Sequence, residues 1–299
     1  MIQKLKSIFS SRAAWFYVTI WVLSLVYLVI RGDGVTGSVA FAAGIFLFCG
    51  LTVALTRDVP DDDTEEKPAP GIRDWVQLLI VLFVVALTGY GGYVFNMWHG
   101  ISAPIPLWTP VIDWFGELGG RYLGDVVDHS PGLAAANLAR YVLIPLVFLL
   151  IAGARFSELG FRRGYGVWRV LALWVFIPLL FFIYGVVSGS STVPTLLRMF
   201  VGNLLRNGFS EEFLFRGALQ TRLRLFMNTD WAVVIQALLF GIWHLGVNTE
   251  MMGRDILAGL ALGIASHSIF GLAMGIIFQR TRNLVAPSIV HVANNMFSS

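Results

Sequence analysis

The segment GFSEEFLFRG, residues 208–217, sets two adjacent carboxylates, Glu211 and Glu212, and a guanidinium, Arg216, among phenylalanines and leucines. Further on, FGIWH places Phe240 and His244 four residues apart, and HVANN places His291 and Asn295 at the same spacing. Four residues is about one helical turn, so the members of each pair share a face. By the same geometry Glu212 can pair with Arg216, while Glu211 points about 100° away, on the face of Asn207 and Phe215. A carboxylate and an imidazole converging on one water can activate it for attack on a carbonyl. A second imidazole and an amide can then hold the oxyanion that develops. Glu211 and His244 are the candidates for the first task, His291 and Asn295 for the second. Arg216 is the neighbouring cation that favours an ionised carboxylate. No serine or cysteine nucleophile is needed.

Two other readings use the same residues. The Glu–Glu–Arg group can serve as a charge cluster that locks helices together, with the histidines as hydrogen-bonded packing residues. His267, in ASHSIFG, has no companion pattern and is read as packing. Alternatively, Glu211, His244 and His291 could supply three zinc ligands and leave a fourth position for water. No H-E-x-x-H pair is present, and Asn295 has a role without metal, so metal-free water activation is the preferred chemistry. The single cysteine, Cys49, excludes an intrachain disulfide and a cysteine-based metal cluster.

The elements that must position these groups are membrane helices. The chain has 57% hydrophobic and 13% charged residues and a mean hydropathy of +0.73. A soluble domain has roughly 45–50% apolar and about 25% charged residues. The expected fold is all-α, a polytopic membrane helix bundle of eight or nine transmembrane helices. Apolar runs mark them at 13–30, 36–55, 75–95, 133–154, 167–187, 199–221, 231–247, 256–278 and 283–297. Glu211 and Glu212 are the acidic residues that fall inside a span. Centring a carboxylate in a membrane helix costs about 2.5–3.5 kcal/mol, so the pair calls for a reason.

With a cytoplasmic N-terminus, fourteen Lys and Arg lie on the inside and four (Arg31, Arg121, Arg198 and Arg254) on the outside. The positive-inside rule favours that multi-pass orientation. Basic residues follow the membrane ends rather than forming one patch, so a net charge of +3 implies the bilayer and no nucleic acid as partner. Residues 1–74 read as an N-terminal helix pair followed by an acidic, Pro-rich cytoplasmic linker (57–74). Residues 75–132 read as a third span and an outer aromatic loop with a short amphipathic element, and 133–299 as the helical core containing the site. GLALG (259–263) and GLAMG (271–275) are small-xxx-small patterns that permit close helix approach.

Taken in order, Glu211-Glu212-x-x-x-Arg216, Phe240-x-x-x-His244 and His291-x-x-x-Asn295 resemble the motifs of the CPBP family. That family comprises CAAX prenyl endopeptidases and bacteriocin-processing, Abi-type membrane proteins. The resemblance covers about residues 200–299, and LGFRRG (159–164) is similar to the group as well. It implies an intramembrane endopeptidase, a peptide hydrolase acting on a membrane-associated protein or peptide substrate without a metal cofactor. Glu211 and His244 are implied to activate water, and His291 and Asn295 to bind the oxyanion or orient the site. Glu212, Arg216 and Phe240 are implied as support. Two other functions are weighed against it: a non-enzymatic scaffold or immunity factor of the same fold, and an ion-coupled transporter. The absence of an inverted-repeat signal disfavours the transporter.

Overall fold

The computed structural model describes residues 11–59 and 69–298, and these form helices and no strand among the described residues. We number the helices α1 (Arg12–Arg31), α2 (Thr36–Leu55), α3 (Ile72–Met97), α4 (Trp108–Tyr122), α5 (Pro131–Ile151) and α6 (Val167–Val187). They continue with α7 (193–226), α8 (Thr229–Trp243), α9 (Leu245–Met251), α10 (Ile256–Thr281) and α11 (Val285–Ser298). The acidic linker lies largely in 60–68, outside the described residues.

Among the described residues six helices, α1, α2, α3, α5, α6 and α10, are long and apolar enough to cross a membrane. The pair α8 and α9, bent by 50° at one residue, makes a seventh if it is one span. The expected count of eight or nine is not reached on length and apolarity, and two segments account for the difference. Segment 193–226 is helical throughout and about 50 Å long. Its charges, among them Arg206, Glu211, Glu212, Arg216 and Arg222, break the apolar run. At its buried centre it meets other helices in place of lipid. The other is α11, whose 14 residues span only about 21 Å against a hydrocarbon core of roughly 30 Å.

Burial separates centre from rim. Within its apolar window α10 is 67% buried, and α6 only 11%. The exposed faces of α1, α3 and α6 carry Leu23, Leu79, Phe83, Phe176 and Leu179, the surface a bilayer would cover. Close approach at the centre depends on small residues. A Cβ at Gly241 of α8 would sit 2.7 Å from the Gly263 carbonyl of α10, and one at Gly263 would meet the Gly241 carbonyl at 2.6 Å. The patterns at 259–263 and 271–275 thus serve packing. The N-terminal pair is tied to the same helix by polar contacts: Tyr17 Oη to Ser268 Oγ (2.8 Å), Trp21 Nε1 to the Ala265 carbonyl (3.1 Å) and Ser38 to Ser266 (3.1 Å). In lipid, where water cannot satisfy these groups, such bonds fix helix rotation. The outer loop contains the 15-residue helix α4, which meets α5 where Gly119 faces Ala135 and the Pro131 carbonyl.

Candidate active site

The backbone of α7 departs from α-helical form on both sides of the paired glutamates. π-helical turns at Leu204–Gly208 and Phe213–Gln220 flank the α-helical turn Phe209–Glu212. An i→i+5 turn rotates the following side chains relative to a 3.6-residue helix, and such turns recur at functional sites. Here they turn both carboxylates toward α11 and α8. Gly208 lets α11 approach, since a Cβ there would contact the Val292 side chain and lie 3.0 Å from the Ser288 carbonyl.

Glu212 is fully buried and accepts from two cationic or protonated neighbours. Its Oε1 lies 3.1 Å from Arg216 Nη1 and 2.7 Å from His291 Nδ1. Arg216, also fully buried, donates from Nη2 to the Gly271 carbonyl at 2.9 Å and lies 4.8 Å over the Phe240 ring. Phe240 in turn packs edge-on against Phe215 and stands 4.6 Å from the His244 ring. This buried chain links α7, α8, α10 and α11. In low dielectric such a charge pair requires both partners, because either one alone would be stranded.

Glu211 occupies the other side of His291. Its Oε2 lies 3.9 Å from His291 Nε2 and 3.9 Å from His244 Nε2. His244 stands at the bend between α8 and α9, with φ −84 and ψ 14, and its carbonyl accepts from both the Asn248 backbone N–H (3.1 Å) and Asn248 Nδ2 (2.9 Å). The hydrogen-bond partners assign the ring nitrogens. His244 Nδ1 is 2.9 Å from the Phe240 carbonyl, which can only accept, so Nδ1 carries the hydrogen. His291 Nδ1 donates to the Glu212 carboxylate in the same way. With both rings neutral, two Nε2 lone pairs and a carboxylate oxygen face one another as acceptors. At 3.9 Å they are too far apart for direct hydrogen bonds and well spaced for a bridging molecule with two hydrogens, such as water.

His267 joins this group. Its ring stacks on that of His244, with centroids 4.3 Å apart and planes inclined by 21°. His267 Nδ1 is buried without a hydrogen-bond partner. The packing role expected from sequence did not anticipate this neighbour; the available signal was a third intramembrane imidazole within the same hundred residues. Asn295 follows His291 by four residues on α11. Together with Asn203, Arg206 and Asn207 of α7 and Asp128 and His129, it lines a cavity of about 270 Å³. Asn207 precedes Glu211 by four residues and Asn295 follows His291 by four, so the cavity sits about 6 Å along both helices from the carboxylate. The i,i+4 series Asn203, Asn207, Glu211 was the sequence signal for this polar stripe.

Residues 193–297 match the family model for Type II CAAX prenyl endopeptidase Rce1-like, the group the sequence motifs resemble. The match takes in the whole Glu–His cluster and leaves α1 to α6 outside it. No curated protein and no solved structure matches the chain. Several apolar helices together with this match support an integral, multi-pass membrane protein and, in general, a membrane endopeptidase.

Proposed function

We propose that the protein hydrolyses a peptide bond of a membrane-associated protein, using water activated by Glu211 and His244. The observation that carries this reading is the convergence of Glu211 Oε2 with two imidazole Nε2 atoms at equal 3.9 Å separations. A water held there gives one proton to the carboxylate while its oxygen attacks the scissile carbonyl. Charge builds on the carbonyl oxygen, and the proton then passes to the departing amine. Water is consumed and a carboxylate and an amine are released, with no acyl-enzyme. His291, fixed through Nδ1 by Glu212, orients the group. Once protonated, its Nε2 or that of His244 becomes a donor to the oxyanion, a role Asn295 shares from the adjoining cavity.

Zinc fits this geometry less well. Tetrahedral zinc with ligands at about 2.0–2.2 Å holds its donor atoms about 3.3–3.6 Å apart, somewhat closer than the 3.9 Å separations here. We keep the metal-free reading as the proposal, and the chelator comparison tests it. The charge distribution favours a cytoplasmic N-terminus. With that orientation we propose that water and peptide approach from the outer side through the cavity lined by Asp128 and His129 of the outer loop and by Asn207, which precedes Glu211 by four residues on α7.

The test has two stages. Membrane proteomes of cells making wild type or Glu211→Ala are compared for a protein that stays unprocessed in the variant. That protein is then offered to purified enzyme with and without a strong zinc chelator. Cleavage by wild type in chelator and none by Glu211→Ala or His244→Ala supports the reading. Undiminished cleavage by both variants ends it, and loss on chelation returns the site to zinc.

A further inference from the structure

The Glu–His cluster presents acceptors to its centre and no standing donor. Glu211 Oε2 faces the Nε2 lone pairs of His244 and His291, which become donors only on protonation. Asn295 sits four residues beyond His291 on α11. An oxyanion that develops beside Glu211 is held best by a donor already in place before the reaction. We propose that Tyr141 of α5 is a further catalytic residue whose phenol donates a hydrogen bond to that oxyanion, and that Arg140 is the positioning residue that polarises the phenol. This rests on the hydrolytic reading of the Glu211 site and adds a residue outside its sequence motifs.

Among the described residues four stretches wind as π turns: Ala139–Leu143, Leu204–Gly208, Phe213–Gln220 and Gly263–His267. The second and third flank Glu211, and the fourth contains His267, which stacks on His244. The first contains Arg140 and Tyr141, and such turns recur at functional sites. Its cause is local. Pro145 has no N–H to give the Tyr141 carbonyl and its ring crowds that oxygen, a conflict relieved where the Ile144 N–H bonds the Ala139 carbonyl five residues back. The turn Phe209–Glu212 of α7 packs beside this stretch of α5. Tyr141 is buried, with its ring edge-on to Trp243 at 5.2 Å between centroids, and Trp243 stands 5.0 Å from the His244 ring. Trp243 is itself fixed, since its Nε1 donates to Thr88 Oγ1 at 2.9 Å. The Tyr141 phenol lies within electrostatic reach of Glu211 and of Arg140, whose guanidinium is 5.6 Å from the centre of the Tyr141 ring. A neutral phenol carries its own hydrogen and needs no prior protonation to donate. A neighbouring cation polarises that O–H and strengthens its bond to an anion. A cation in the middle of a membrane span is costly, and this task gives Arg140 a reason to be there. Tyr141 gives a hydrogen bond and keeps its proton, so proton transfer among the water, Glu211 and the departing amine is unchanged.

The experiment offers a proteome-derived peptide library in lipid–detergent micelles to the purified full-length protein and identifies products by mass spectrometry. Wild type is compared with Glu211→Ala, Tyr141→Phe, Arg140→Gln and the Tyr141→Phe/Arg140→Gln double variant, with melting midpoints recorded alongside. On the best-cleaved peptide Tyr141→Phe should lower kcat about 100-fold, the effect of removing one oxyanion donor, and leave KM within about threefold of wild type. Its ring still packs on Trp243, so its midpoint should stay within a few degrees. Arg140→Gln should lower kcat on the order of tenfold, and the double variant should be no slower than Tyr141→Phe, because Arg140 acts through the phenol. Should Tyr141→Phe fail to fold, Arg140→Gln carries the same comparison of kcat with KM. An active Tyr141→Phe beside an inactive Glu211→Ala overturns this proposal alone. So does a loss confined to KM, or losses that multiply in the double variant. Wild type that cleaves nothing, or only as Glu211→Ala does, overturns the hydrolytic reading and this proposal with it.

Discussion

Glu212 offers the sharpest stability prediction, because its two partners are resolved and both pair members are dry. In Glu212→Gln the shape is kept and the charge is lost. Arg216 then loses its buried counter-charge and keeps neutral partners, the glutamine amide oxygen, the Gly271 carbonyl and the Phe215 and Phe240 rings. Stranding a buried cation in this way costs about 3–5 kcal/mol. Set against a typical stability of 5–15 kcal/mol, the apparent melting midpoint in detergent should fall on the order of 10 °C. Arg216→Met strands Glu212 less completely, since His291 Nδ1 still donates at 2.7 Å. Its expected loss is about 1.5–3 kcal/mol, the value of one hydrogen bond to a charged group. The Glu212→Gln/Arg216→Met double variant removes both charges, and a neutral replacement of a buried pair is often close to neutral. The double variant should therefore melt above Glu212→Gln, with a coupling energy of about 2 kcal/mol or more. Additive losses, within about 0.5 kcal/mol, would refute the account of the pair as mutually dependent.

Two further outcomes are expected. His267→Phe preserves a ring against His244, whereas His267→Ala removes it. Cleavage should fall about tenfold or more in His267→Ala, with much of the rate retained in His267→Phe, and equal rates in the two variants would show that the stacking does not position His244. In a Cys49→Ala background, Asn203→Cys should react with a membrane-impermeant thiol reagent added outside intact cells, because Asn203 lines the cavity that meets the outer loop. Labelling only after the cytoplasmic side is opened would reverse the orientation.

Much of the helical framework is legible in the sequence because lipid-facing helices need continuous apolar runs. The run 167–187 coincides with α6, and 36–55 with α2. The approach falters where charge is carried inside the protein. Segment 199–221 lies within a continuous helix, yet hydropathy alone does not mark α7 as a span, because it carries Glu212 and Arg216, which pair with each other, His291 and Gly271 inside the protein. The 243/244 bend also escapes a hydropathy window, since both arms are apolar. For the site, the i,i+4 spacing of Glu212 and Arg216 is enough to foresee their contact. The meeting of Glu211 with His244 and His291 is expected from their chemistry and motif order rather than from spacing, and the π turns on either side of Glu211 have no residue signature. His267 escapes for a related reason: its partner is a ring on another helix, and a single sequence does not encode that register.

The central claim is that the Glu211 carboxylate does the work at the meeting point of His244 and His291. The most direct measurement is the single-turnover cleavage rate of purified Glu211→Gln, with its melting midpoint recorded alongside. The account requires a loss of at least about 100-fold with the midpoint within a few degrees of wild type, since the amide keeps the shape and removes the base. A folded Glu211→Gln that cleaves within a few-fold of wild type would contradict it.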